Sequence, residues 1–138
     1  MNRNKPLKDL PHHFSEEKKE LLAIGIDNWF SVRDLKDQQI FLISRKSLAT
    51  ISNLKRLRGI AALICSINIS QSQAALLLHS GIASVEVIAL LTPHELIQKT
   101  GRFERQLKAG TEPILNYEVA NYLIKEAKKA RANSELTQ

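Results

Sequence analysis

The chain has 138 residues, 43% of them hydrophobic, which is enough apolar side chain for a packed core and excludes disorder throughout. Aromatic residues make up only 5%, so the core falls to Leu, Ile, Val and Ala. A net charge of +6, from 20 Lys+Arg against 14 Asp+Glu, permits polyanionic or acidic partners without requiring them.

Residues 1–13 read as a flexible arm, interrupted by Pro6 and Pro11 and lacking the apolar stretch of a secretion signal. Ser15 is expected to cap a first helix, with Glu16 and Glu17 at its positive end. Leu21 and Leu22 should face inward, and Gly25 should take the left-handed turn that ends the helix. Ser31 and Asp34 form an S-x-x-D start for a short helix with Val32 and Leu35. Asp37 starts another that holds Ile40 and Phe41. A long amphipathic helix is expected from about Ser47, because Leu48, Ile51, Leu54, Leu57, Ala61 and Ile64 recur at spacings of three and four. Cys65, the only cysteine, reads as a buried small hydrophobe. It excludes an intramolecular disulfide and fits a reducing, cytoplasmic setting.

Ser70 and Gln73 make an S-x-x-Q capping box for a helix over 71–80, with Ala74, Leu77 and Leu78 on its inner face and Gly81 at its end. Ser84 caps a short helix carrying Val85, Ile88 and Leu91. "TPHEL" is a dense start signal, with Thr92 as cap, Pro93 in the first turn and Glu95 reaching back. Gly101 should close that helix, and "RFERQLK" should add a turn or two before Gly110. The last helix is expected over about 112–130, with Leu115, Val119, Tyr122 and Leu123 buried, and residues 133–138 should fray. Alternation of period two is absent, so no sheet is expected, and no apolar run approaches the ~20 residues of a membrane span. The fold class is therefore all-α: one domain over 14–132, built from two stacked units at about 14–58 and 59–110 plus the C-terminal helix.

Two segments resemble each other. "ELLAIGIDNWFSVRDLKDQQI" (20–40) and "LLLHSGIASVEVIALLTPHEL" (76–96) each run from a Leu-rich helix end through Gly-Ile to two short helices. Gly25-Ile26 corresponds to Gly81-Ile82. Val32 and Leu35 are matched to Val85 and Ile88, with about three extra residues around "NWF" in the first copy. The two copies are expected to form a pair with approximate twofold symmetry.

The stretch "INISQSQAALLLHSGIASVEVIALLTPHELI" resembles the helix-hairpin-helix superfamily, whose usual pattern is a Gly-hydrophobic-Gly hairpin, an Ala/Leu-rich helix, Gly-Ile, then a capped pair of helices. With "NLKRLRGIAALI" before it, the chain looks like an uncharacterised bacterial branch of unknown function, common in photosynthetic bacteria. The resemblance covers about residues 15–108. It implies a compact helical fold with two such motifs stacked, and it does not imply an enzyme. In DNA-binding members the hairpin amides hold a phosphate, as helix N-termini can. Here Asn68, Ile69 and Ser70 stand at the Gly-hydrophobic-Gly positions, and Ser72 stands where the family often carries Lys. The hairpin can keep its shape through Asn68 and lose much of its phosphate site through Ser70.

Basic residues supply other candidate contacts. Lys55, Arg56 and Arg58 lie in "LKRLRG", and Arg102, Arg105 and Lys108 recur at spacings of three. Trp29 and Phe30 are candidate anchors for a protein partner. His12, His13, His79 and His94 lack zinc-ligand spacing, and no P-loop, G-x-S-x-G or H-E-x-x-H occurs, so neither catalysis, cofactor nor metal is expected. Charge and resemblance together give as the expected function a small module that holds DNA or RNA backbone through its basic faces without reading sequence. The alternative, favoured by the residues of the hairpin itself, is a protein-interaction adaptor that kept the fold and lost its phosphate contacts.

Overall fold

The computed structural model describes residues 5–7, 10, 12–107 and 115–136, with 102–107 and 134–136 described by their backbone only. Its described residues form eight α-helices and no strand beyond one isolated bridge between Pro6 and Asn28. The all-α expectation therefore holds. The helices are α1 (Ser15–Ala23), α2 (Trp29–Arg33), α3 (Asp37–Lys46), α4 (Ile51–Ser66), α5 (Gln71–His79), α6 (Val85–Leu90), α7 (Pro93–Leu107) and α8 (Tyr117–Leu136). The chain divides into two compact units, Met1–Cys65 and Ser66–Gln138. The division falls at the end of α4, which runs unbroken through 58–59.

In the first unit a 3-10 turn, His12–Phe14, leads into α1. The helix cap is Phe14, without a side-chain bond, and not Ser15. Phe14 is buried, so packing fixes the entry to the helix where capping was expected. Leu21 is fully buried but Leu22 is exposed, because adjacent helical residues point about 100° apart. The short helix α2 starts earlier than the S-x-x-D pattern suggests. Asn28 is its cap, its Oδ1 accepting from the Ser31 N–H at 2.9 Å, and Asp34 closes it. Trp29, Val32, Ile40, Leu54 and Leu57 are buried. Phe41 is exposed, as are Leu48 and Ile51, since α4 begins only at Ile51 with Thr50 Oγ1 accepting from the Asn53 N–H.

Residues 5–7 are held in place, unlike the loose arm expected for 1–13. The Leu7 N–H donates to Asp27 O at 3.0 Å and the Trp29 N–H to Lys5 O at 2.8 Å. Leu7 is buried, and Lys5 Nζ donates to Ile64 O at 2.7 Å near the C-terminus of α4. A cation there offsets the negative end of the helix. Two backbone bonds, one apolar anchor and one charge outweigh the interruption by Pro6, whose lack of an N–H removes no bond at a chain edge.

In the second unit α5 packs on α7, and both α6 and α7 pack on α8. Leu76, Leu77, Ile88, Leu96 and Leu123 are buried, and Leu78 is half-buried. Gly101 does not end its helix: α7 is continuous from Pro93 to Leu107. The last helix starts at Tyr117, with Asn116 Oδ1 accepting from the Val119 N–H at 2.8 Å, and it runs to Leu136, past the expected fraying point. Tyr122 is exposed, not buried.

The internal repeat is more regular than the sequence reading. Gly25 and Gly81 both have φ of 85°. At each, the glycine N–H donates to the carbonyl three residues back, Leu22 or Leu78. The following isoleucine N–H donates five back, to Leu21 or Leu77, at 2.8 Å in both copies. These are paired Schellman endings, which need a residue free to take positive φ. Three residues on, Asn28 and Ser84 each cap the next helix. Further on, Val32 matches Ile88, Ile40 matches Leu96, and all four are fully buried. The Lys36 N–H donates to Gln39 Oε1 as the Thr92 N–H does to Glu95 Oε1. Every counterpart lies 56 positions later without insertion. The three extra residues expected around "NWF" do not exist; Trp29 occupies the first helical position, where the second copy has Val85.

Candidate functional site

The hairpin before α5 is built by local bonds. Ser70 is extended (φ −77°, ψ 160°) and its Oγ accepts from the Gln73 N–H at 3.1 Å. In return the Ser70 N–H donates to Gln73 Oε1 at 3.0 Å. Ile67 and Ile69 are buried, and Asn68 and Ser70 are exposed. Two of the amides that a phosphate would meet are thus already satisfied by side chains of the same helix. The Ile69 side chain is buried in the core, so only its backbone could meet a phosphate.

The basic candidates on α4 differ in their surroundings. Lys55 and Arg56 are exposed on α4. Arg58 is not available in the same way. Its guanidinium donates to Leu35 O at 3.0 Å and pairs with Asp37 Oδ1 at 2.8 Å. It ties α4 to the link between α2 and α3, where an acidic residue in the first turn of α3 is already favoured. The Arg58 guanidinium beside it holds the Asp37 carboxyl below its ordinary value, with Lys55 contributing. The side chains of Arg102 and Arg105, and all of Lys108, lie outside the described residues.

Other candidates take structural places. Trp29, a candidate partner anchor, is buried, and Phe30 is half-buried under the Arg33 guanidinium, 5.2 Å from its ring centre. Cys65 is half-buried, and burial pushes its thiol up. Among the described residues no cluster of three or more His, Cys, Asp or Glu is placed to hold a metal ion, and no helix is long and apolar enough to cross a membrane.

Glu17, read from the sequence as a charge at the start of α1, has a different role in the structure. Glu17 is only 1% exposed. Its Oε2 accepts from the Thr50 N–H at 2.8 Å and its Oε1 from Asn53 Nδ2 at 3.3 Å. A carboxylate in α1 thus serves the positive end of α4. Gln73, its counterpart in the second copy, caps its own helix instead. The one signal in the sequence was the absence of a capping partner: Phe14 stands where the second copy has Ser70.

A family model described as a domain of unknown function, DUF4332, matches residues 11–130. The chain belongs to this family. The DUF4332 match takes in both copies of the repeat and most of α8, and it starts after the bonds made by Lys5 and Leu7. No curated protein and no solved structure matches the chain.

Proposed function

We propose that this DUF4332 chain is a non-enzymatic protein-interaction module with a helix-hairpin-helix-like fold whose phosphate contacts have been given up. The observation that carries the reading is the closed capping box of Ser70 and Gln73, which occupies hairpin amides that a phosphate would use. A further observation is Arg58, a candidate cation already engaged by Leu35 and Asp37. Exposed apolar side chains supply what a protein partner would cover. In the second unit these are Val87 and Leu90 on α6 and Tyr117 and Tyr122 on α8, with Leu90 73% exposed. At the positions of Val87 and Leu90 the first copy carries Ser31 and Asp34, so the repeat does not require apolar residues there.

A second reading, sequence-independent binding to DNA or RNA backbone, is favoured by the exposed Lys55 and Arg56 and by the net charge of +6. Affinity for duplex and single-stranded oligonucleotides, measured at several salt concentrations, separates the two. The module reading expects no salt-sensitive binding by the wild type. It also expects such binding to emerge in the triple variant Asn68→Gly, Ser70→Gly, Ser72→Lys, which opens the amides and adds a point charge. Wild-type binding with a salt slope of several phosphates (roughly 0.9 per contact on duplex DNA), reduced by Lys55→Ala with Arg56→Ala, would put the nucleic-acid reading first.

A further inference from the structure

Helix α3 turns Ile40 and Ile43 into the first unit and leaves a regular outer face. That face is Asp37, Gln38, Phe41, Leu42, Arg45 and Lys46, all exposed, at the alternating one- and three-residue steps of one helical side. Phe41 is 49% and Leu42 45% exposed. The order along the face is acid and amide, then two apolar residues, then two bases. Arg45 lies over the Phe41 ring, 5.7 Å from its centre.

From this order we infer that α3 is the contact surface for a second copy of the same chain, packed antiparallel about a twofold axis between Phe41 and Leu42. Reversing the helix on itself sets Phe41 against Leu42 of the other copy, Gln38 against Arg45 and Asp37 against Lys46. Each copy supplies what the other lacks, which is the requirement of an isologous interface. A lipid surface or a polyanion fits less well, because Asp37 lies at one end of the face and would be repelled. Asp37 keeps an oxygen free of Arg58, whose bond is to Oδ1. The pattern is not a demand of the repeat: the same positions in α7 are Pro93, His94, Ile97, Gln98, Gly101 and Arg102, with no acid and one large apolar residue. A ten-residue helix pair is smaller than the ~1,200 Å² of a stable interface, so the dimer is weak and concentration-dependent. The pairing goes beyond the partner reading above and stands or falls without it, since that reading uses α6 and α8.

The test is sedimentation equilibrium of the full chain, with concentration raised into the hundreds of micromolar. The wild type should approach a dimer, and Phe41→Glu should stay monomeric with an unchanged circular-dichroism spectrum. Gln38→Glu leaves the Arg58–Asp37 pair intact and adds a charge opposite Arg45, so it should tighten the dimer severalfold. Asp37→Lys and Lys46→Glu should each weaken it at least tenfold, and an equimolar mixture of the two should form heterodimers. Should Asp37→Lys fail to fold, the Phe41 and Gln38 variants carry the decision. A wild type that stays monomeric throughout, a Phe41→Glu dimer as tight as the wild type, or indifference to Gln38→Glu would each overturn the inference.

Discussion

Glu17 places a carboxylate at the start of a helix 33 residues away, and removing it leaves the Thr50 N–H without its acceptor. Glu17→Ala should therefore cost about 1–3 kcal/mol in urea unfolding, and Glu17→Gln, which keeps one acceptor oxygen, should cost less. Equal midpoints for Glu17→Ala and wild type would remove it from the account of stability. Arg58 and Asp37 give a pH signature. The Asp37 carboxyl in the folded chain lies below its ordinary 3.8, chiefly through the hydrogen bond from Arg58. Its contribution is full above the ordinary value and is lost as pH falls through the lower folded value. In Arg58→Met an NMR titration should find the Asp37 carboxyl moved up towards the ordinary value, with that part of the acid dependence gone. Neither role was legible beforehand. The Ser70–Gln73 box spans three residues and shows in any reading of neighbours, whereas Arg58 meets Leu35 across 23 positions. No local pattern specifies such a meeting; only the packing of α4 does.

At the scale of elements, the glycine endings make the sharpest expectation. Gly25 and Gly81 sit at φ of 85°, and an added Cβ would meet nothing within 4 Å at either. The cost of Gly25→Ala and of Gly81→Ala is then backbone conformation alone, about 1–2 kcal/mol each and nearly equal. Asn at either position should cost less, since it tolerates the left-handed region. Thermal melting of the four variants checks this, and markedly unequal alanine costs would mean that the two turns are not equivalent. These turns were readable from "GI" alone, as were Ser84 and the "TPHEL" start, because caps act over three residues. The start of α2 was not. Asn28 caps it, but the neighbouring Trp29 and Phe30 read as an insertion, and the S-x-x-D pattern at Ser31 offered a competing start. Leu22 was read as inward beside Leu21, and Leu48 as the first residue of the α4 stripe. Leu22 is exposed because its neighbour Leu21 takes the inner face, and Leu48 because α4 begins only at Ile51, which spacing does not fix.

For the whole molecule, the N-terminal residues matter more than their composition suggests. Removing residues 1–7 deletes the Leu7 anchor, the Lys5 bond to Ile64 and two backbone bonds at Asp27 and Trp29. Loss of about 2–5 kcal/mol should follow, from the buried Leu and the lost hydrogen bonds together. Urea unfolding of the shortened chain measures it; a midpoint unchanged from the full chain would mean that the arm merely rests on its neighbours. The helical class was visible in the sequence from three- and four-residue spacings, and the repeat from the Gly-Ile that follows a Leu-rich helix end in each copy. The arm was not, because its partners lie 20 to 59 residues away.

The gapless offset gives the chain an unusual property as a subject for mutation. At several matched positions it already spells a second residue of the same kind in its own text. Asn28 has Ser84 as its synonym, Val32 has Ile88, Gln39 has Glu95, and Ile40 has Leu96. Exchanging the capping synonyms, Asn28 with Ser84 or Gln39 with Glu95, keeps the class of bond formed, so that exchange should be nearly silent, whereas Val32→Ile adds a methylene to a fully buried site and should cost about 1–3 kcal/mol. Where the copies disagree in kind, as at Glu17 and Gln73 or Asp37 and Pro93, the spelling marks a place where one copy has taken on work that the other does not do.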